Sequence, residues 1–172
     1  MQTFALYARV AVTEPPDWFP AFYARHGAHR DCHITLKQGC WVEEKDVAII
    51  KSCTEDFLKS FSVLDHQIDL TFDSVRSDPA WDCVLLNVHQ PSALLHSLQR
   101  GILDALKEFR DYEKPDTEAY ERNFIPHITI ADNMDFDETG RALAELPKDV
   151  LIKGYCREIV LIVDGEPTVY LL

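Results

Sequence analysis

Residues 33–36 read HITL and residues 127–130 read HITI, the same His-Ile-Thr-aliphatic tetrapeptide twice in a chain of 172 residues with seven histidines. Side chains alternate along a strand, so each copy puts its histidine and threonine on one face and its aliphatic residues on the other. The aliphatic face can enter a core, which leaves an imidazole and a hydroxyl on the opposite face: His33 with Thr35, and His127 with Thr129. The same alternation places Lys37 beside His33 and Thr35.

Outward from the tetrapeptides, the flanking pattern also repeats. In the first half, 3–12 reads as a strand, and a short helix with Pro20 in its first turn ends near Gly27. The motif strand covers 31–38. An amphipathic helix over 43–61 places Val47, Ile50, Phe57 and Phe61 on one face, and HQIDLTFDSV at 66–75 alternates as a strand. In the second half, DCVLLNV at 82–88 is a strand. A helix over 91–110 follows, with Leu94, Leu95, Leu98, Ile102, Leu106 and Phe109 on one face. The charged stretch DYEKPDTEAYERN at 111–123 has no regular period and reads as an exposed loop leading into the motif strand FIPHITIAD. A short helix over 138–146 is followed by strands at DVLIKGY, REIVLIV and TVYLL, the last two joined by a DGEP turn. Each half therefore reads strand, helix, motif strand, helix, strand. This predicts an α+β fold of two similar lobes, about 1–80 and 81–172, within a single domain over 1–172, with strand exchange between lobes as a variant.

Composition narrows the function. With 47% hydrophobic residues the chain can bury one core, and it is short for two independent domains. Arg9 interrupts the opening MQTFALYARVAV, which reads as a strand rather than a signal peptide, and no apolar run reaches the length of a membrane span. Five cysteines without a C-x-x-C pair fit a reducing cytoplasm. The formal net charge of −12 argues against a partner that brings many phosphates, since such proteins carry a basic stripe. A substrate that carries phosphate should therefore be small or touched at one point, bound by a monomer, with no long nucleic acid and no membrane.

Displacement at phosphorus needs a base beside the entering oxygen and an acid beside the departing one, on opposite sides of the phosphate. Two opposed histidine-bearing walls meet that demand, because an imidazole near neutral pH serves in either role. Thr35 and Thr129 would hold the non-bridging oxygens and Lys37 would add positive charge. The scheme uses no metal and no cofactor. Trp41, Tyr120 and Phe124 lie near the motifs in sequence and offer faces for base stacking. Arg122 is a candidate for a second phosphate. Two rivals stand beside this scheme: a non-catalytic nucleotide-binding module using the same cleft, and a metal-dependent hydrolase using His26, His29, Cys32 and His33 of HGAHRDCH.

With HITL and PHITI in hand, the chain resembles the two-histidine (2H) phosphoesterase superfamily, which includes LigT-like 2′-5′ RNA ligases and 2′,3′-cyclic nucleotide phosphodiesterases and carries two H-x-[ST]-h motifs, h being apolar. The closing REIVLIVDGEPTVYLL is similar to that family's final strand pair. The resemblance implies a bilobal duplicated fold with two antiparallel sheets facing a central cleft and helices outside. It implies metal-independent hydrolysis of a cyclic phosphate or a 2′-5′ phosphodiester, with His33 and His127 as the acid/base pair and Thr35 and Thr129 as phosphate ligands. In several relatives the second-motif histidine activates water and the first protonates the leaving oxygen. Two departures stand out: QGC follows Lys37 where many LigT-like members have FLG, and ADN follows the second motif where many place an arginine. Asp132 of ADN, where an arginine phosphate clamp would stand, lowers the standing of a large RNA substrate and of tRNA-half ligation.

Overall fold

The computed structural model describes residues 1–26, 31–61, 66–78, 81–90 and 92–172. Along the chain run β1 (Gln2–Thr13), α1 (Trp18–His26), β2 (His33–Val42), a 3-10 turn at Glu44–Asp46 leading into α2 (Val47–Ser60), and β3 (Ile68–Asp78). Then come β4 (Cys83–Val88), α3 (Ala93–Ala105), α4 (Thr117–Arg122), β5 (His127–Ala131), α5 (Phe136–Glu145), β6 (Ile152–Val163) and β7 (Glu166–Leu171). Asp164 and Gly165 both adopt positive φ between β6 and β7, the two-residue hairpin turn that an Asp-Gly pair favours.

All pairings are antiparallel, and the strands form one sheet in the order β2-β1-β6-β3-β4-β5, with β7 added to β6. The two sheets implied by the resemblance are thus continuous. They join through β6, which fuses the expected strands DVLIKGY and REIVLIV into one. One edge of β6 pairs with β1, while the other pairs first with β3 and then with β7. Nor do sequence halves correspond to sheet halves: β3 pairs with β4, and β6 pairs with β1.

A flat path of six strands would hold its ends roughly 24 Å apart at the usual inter-strand spacing. Here the two ends, β2 and β5, touch each other. The sheet must therefore curl strongly, and the strands brought together by the curl are those that carry the two tetrapeptides. Helices cross over in the same way. α1, from the first half, packs on β5, whereas α3 packs on β2 and α2.

The aliphatic residues of both tetrapeptides, Ile34, Leu36, Ile128 and Ile130, are buried in one hydrophobic cluster with Leu95, Leu98 and Ile102 of α3. At roughly 1.5–3 kcal/mol for each such side chain withdrawn from water, this burial fixes which face of each motif strand points inward. The helix face read from sequence is narrower than expected, since Leu94 is half exposed and Gln99 is buried in its place. The stretch 111–123, read as an exposed loop, instead contains α4, with Thr117 and Glu121 buried.

Gly154 lies where β6 pairs with Val12 of β1 on one side and Leu70 of β3 on the other. A Cβ there would come within 2.7 Å of the Ala11 carbonyl oxygen. Gly154→Ala should therefore force β1 and β6 apart and destabilise the fold by roughly 1–3 kcal/mol. Denaturant unfolding checks this: a variant as stable as the parent would show that the junction has slack.

Candidate active site

His33 and His127 occupy corresponding positions at the first residue of β2 and of β5. Each ring is anchored identically. His33 Nδ1–H donates to the Asp31 carbonyl at 2.8 Å, and His127 Nδ1–H donates to the Ile125 carbonyl at 2.7 Å. A carbonyl can only accept, so the proton of the neutral ring is fixed on Nδ1, and Nε2 becomes the nitrogen that exchanges protons. The two rings sense one another. Burial holds His127 below the ordinary imidazole range, and the nearby charges of Arg76 and His33 push in the same direction, against the Ile125 carbonyl and Asp78.

Two adjoining cavities, of about 680 and 790 Å³, open along these strands. His127 and Thr129 line the first, His33 and Tyr7 line the second, and Thr35, Gln38, Trp81 and Lys114 belong to both walls. The His33 ring leans on Tyr7 with centroids 4.8 Å apart. The four residues singled out from the tetrapeptides are therefore brought to one cleft.

Lys37 is not among them. Alternation along β2 breaks at Leu36 and Lys37, which are both buried, and the register with β1 slips from Tyr7–Thr35 to Leu6–Lys37 and again to Phe4–Cys40. These slips are β-bulges, in which the extra residue turns the following side chains to the other face. Lys37 is 1% exposed. Its ammonium lies 3.2 Å from Glu121 Oε1, 3.2 Å from Cys40 Sγ and 4.4 Å from the centre of the Tyr112 ring. The Glu121 carboxylate also accepts from the Gln38 N–H and the Tyr112 hydroxyl, each at 2.7 Å, while its backbone carbonyl accepts from Gln99. Lys37 thus ties β2 to α4 from behind the cleft instead of meeting a phosphate inside it.

α4 and the residues after it supply much of the first cavity's wall. Tyr120 and Phe124 line it, and the Phe124 ring is held edge-on by His96 at 5.3 Å. Trp41 lines neither cavity. Its backbone N–H donates to the Asp111 carbonyl at 2.6 Å, at the far end of β2 from His33. Arg122 is exposed and lines neither cavity of the cleft.

Several cleft residues were invisible in the sequence. Arg76 lies one residue beyond the strand read at 66–75, and its cross-strand row runs through Leu85 to Thr129. It donates to Asn87 at 3.2 Å and stands 3.8 Å from Asp78. Trp81 replaces Trp41 as the tryptophan of the cleft: its indole N–H donates to the Tyr120 hydroxyl at 2.8 Å, and the Lys114 ammonium sits 4.2 Å from the ring centre. In the metal reading, His29 lies outside the described residues. The His26 ring packs on Phe22 and stands 3.6 Å from Glu145, whereas His33 faces the cleft. Among the described residues no group of three or more His, Cys, Asp or Glu is placed to hold a metal ion.

The family model of the 2′-5′ RNA ligase superfamily matches residues 8–167. No curated protein matches the chain in sequence. Among solved structures, the chain is similar to a phosphoesterase at 15% identity and a TM-score of 0.57, covering 100% of this chain and 96% of that one. It is similar to E. coli LigT complexed with 3′-AMP at 16% identity and 0.54, covering 99% and 95%, and to Kluyveromyces marxianus Usb1 at 8% and 0.55, covering 99% and 98%. At such identities these likenesses speak for the fold.

Lys37→Met would leave Glu121 buried without its cation and should cost roughly 3–5 kcal/mol in denaturant unfolding. Lys37→Met combined with Glu121→Gln should recover part of that loss. Full stability in the single variant would return Lys37 to the cleft.

Proposed function

The chain belongs to the 2′-5′ RNA ligase superfamily, and from that premise we propose that it is a phosphodiesterase that hydrolyses a 2′,3′-cyclic phosphate or a 2′-5′ phosphodiester of a nucleotide or short RNA end. The observation that carries this reading is the matched anchoring of His33 and His127, each with Nδ1–H held by the carbonyl two residues upstream. Such anchoring presets two Nε2 atoms for proton transfer and requires no metal to do so.

His127 is the base in this scheme, because burial favours its neutral form. Its Nε2 takes a proton from water as the water oxygen bonds to phosphorus. On the opposite side the bond from phosphorus to the departing oxygen breaks, and His33 gives that oxygen its Nε2 proton. One water is consumed, a phosphomonoester and a hydroxyl are formed, and exchange with solvent restores both rings. Thr35 and Thr129 donate to the non-bridging oxygens. Arg76 and Lys114, rather than Lys37, supply positive charge on the cleft walls. Tyr120, Phe124 and Trp81 offer faces to a base. Similar solved structures hold nucleotides, 3′-AMP in E. coli LigT and uridine monophosphate in Kluyveromyces marxianus Usb1, which supports a substrate of this class. The net charge of −12 supports a small one.

His33→Ala and His127→Ala should each lower kcat on such a substrate by roughly 10²–10⁴, with circular dichroism unchanged. Nucleotide binding without turnover in the parent protein would favour the binding module instead. Turnover should survive EDTA. The acid limb of kcat/KM should fall below the ordinary imidazole value of about 6.5, because His127 stays neutral until pH drops through its lowered pKa. An acid limb above that value would remove His127 from the role of base.

A further inference from the structure

The two motif histidines stand in matching frames that differ at one point. Across the ladder His33 pairs with Arg9 of β1, and His127 pairs with Asn87 of β4. The next residue of each partner strand pins the residue before the histidine. Val10 N–H donates to the Cys32 carbonyl at 2.8 Å, and Val88 N–H donates to the Pro126 carbonyl at 2.9 Å. One residue further back are Asp31 and Ile125, whose carbonyls receive the two Nδ1–H groups. Both lie ahead of their strands, so strand pairing does not orient them. For Ile125 the proline that follows does so, because it confines the preceding backbone to the extended region. Cys32 follows Asp31 and imposes no such limit.

The Asp31 side chain is held instead. Arg9 Nε stands 3.2 Å from Asp31 Oδ2, and on its other side Arg9 Nη1 donates to Glu158 Oε2 at 2.5 Å. Glu158 is the cross-strand neighbour of Arg9 in β6, so the guanidinium is braced against the sheet while it grips Asp31. Arg9 itself lines neither cavity of the cleft. From this geometry we infer that Arg9 is a positioning residue for His33: by holding Asp31 it orients the carbonyl that keeps a proton on His33 Nδ1, the task that Pro126 performs in the second motif. The inference rests on the proposed two-histidine hydrolysis, where it decides which nitrogen of His33 gives up its proton. A partly exposed ion pair of this kind adds little to the stability of a fold, so its effect is read at the ring.

Nitrogen-15 NMR of the histidine rings at about pH 8, where imidazole is neutral, tests this without a substrate. Arg9→Gln should shift His33 from the Nδ1–H form toward Nε2–H, while His127 in the same spectrum keeps its own form. Asp31→Ala removes an exposed side chain and leaves Arg9 with Glu158, and it should shift His33 in the same way. The double variant should go no further than the larger single effect, because both changes cut one link. With whichever of adenosine 2′,3′-cyclic phosphate and adenylyl-(2′-5′)-adenosine the parent turns over, each single variant should lower kcat about ten-fold and leave KM within about two-fold. His33 wholly Nδ1–H in both variants, or an unchanged kcat, would overturn the inference; two-histidine hydrolysis would still stand if His33→Ala remained inactive. Loss of the Nδ1–H form at both histidines would mark a general loosening and would also overturn it. Absence of turnover in the parent would count against the hydrolysis alone, since the ring readout needs no substrate.

Discussion

The curl of one sheet is the constraint on which the rest depends. β2 and β5 stand at opposite ends of a hydrogen-bonded path of six strands, yet they touch. Neither motif strand could line the cleft alone. The curl works because β6 is long enough to serve both halves, pairing with β1 along one edge and with β3 and β7 along the other. Gly154, close against the Ala11 carbonyl, lets the backbones approach at that junction. Distant pairings of this kind close large loops at an entropic cost, offset by the apolar faces of both motif strands in one core.

A second tie acts behind the cleft. The buried Glu121 carboxylate gathers the Lys37 ammonium, the Gln38 N–H and the Tyr112 hydroxyl, joining β2 to the segment that runs into β5. Gln38 forms part of the wall between the two cavities, and Tyr120, beside Glu121, holds Trp81. The ion pair therefore acts on the cleft at one remove. A buried pair of this kind adds little net stability over an apolar alternative, but it punishes loss of either partner, which suits it to fixing a relative position.

Much of this was legible from eight residues. Alternation in HITL and HITI separates His33, Thr35, His127 and Thr129, which line the cleft, from the aliphatic residues, which enter the core, because both strands keep period two over those positions. It failed at Lys37, since a bulge is a relation between β1 and β2 and nothing in LKQGC announces it. Trp41 misled because closeness in sequence along a strand carries a side chain away from the site at about 3.3 Å per residue. Trp81 and Arg76 reach the cleft only through the pairing of β3, β4 and β5, which sequence period does not encode. α4 has six residues, too few for a periodic signature, and is anchored by the tertiary contacts of Glu121. The single sheet, in place of two, follows from the fusion of two short apolar runs across Cys156 into β6.

The central claim is that two imidazoles, preset through Nδ1, serve one phosphate from opposite walls. Nitrogen-15 NMR titration of the histidine rings, with and without adenosine 3′-monophosphate, tests it most directly. The account predicts Nδ1–H tautomers for both neutral rings, a His127 midpoint below the ordinary value of about 6.5, and displacement of both Nε2 resonances when the nucleotide binds. An Nε2–H tautomer at either histidine, or a bound nucleotide that moves only one ring, would contradict it.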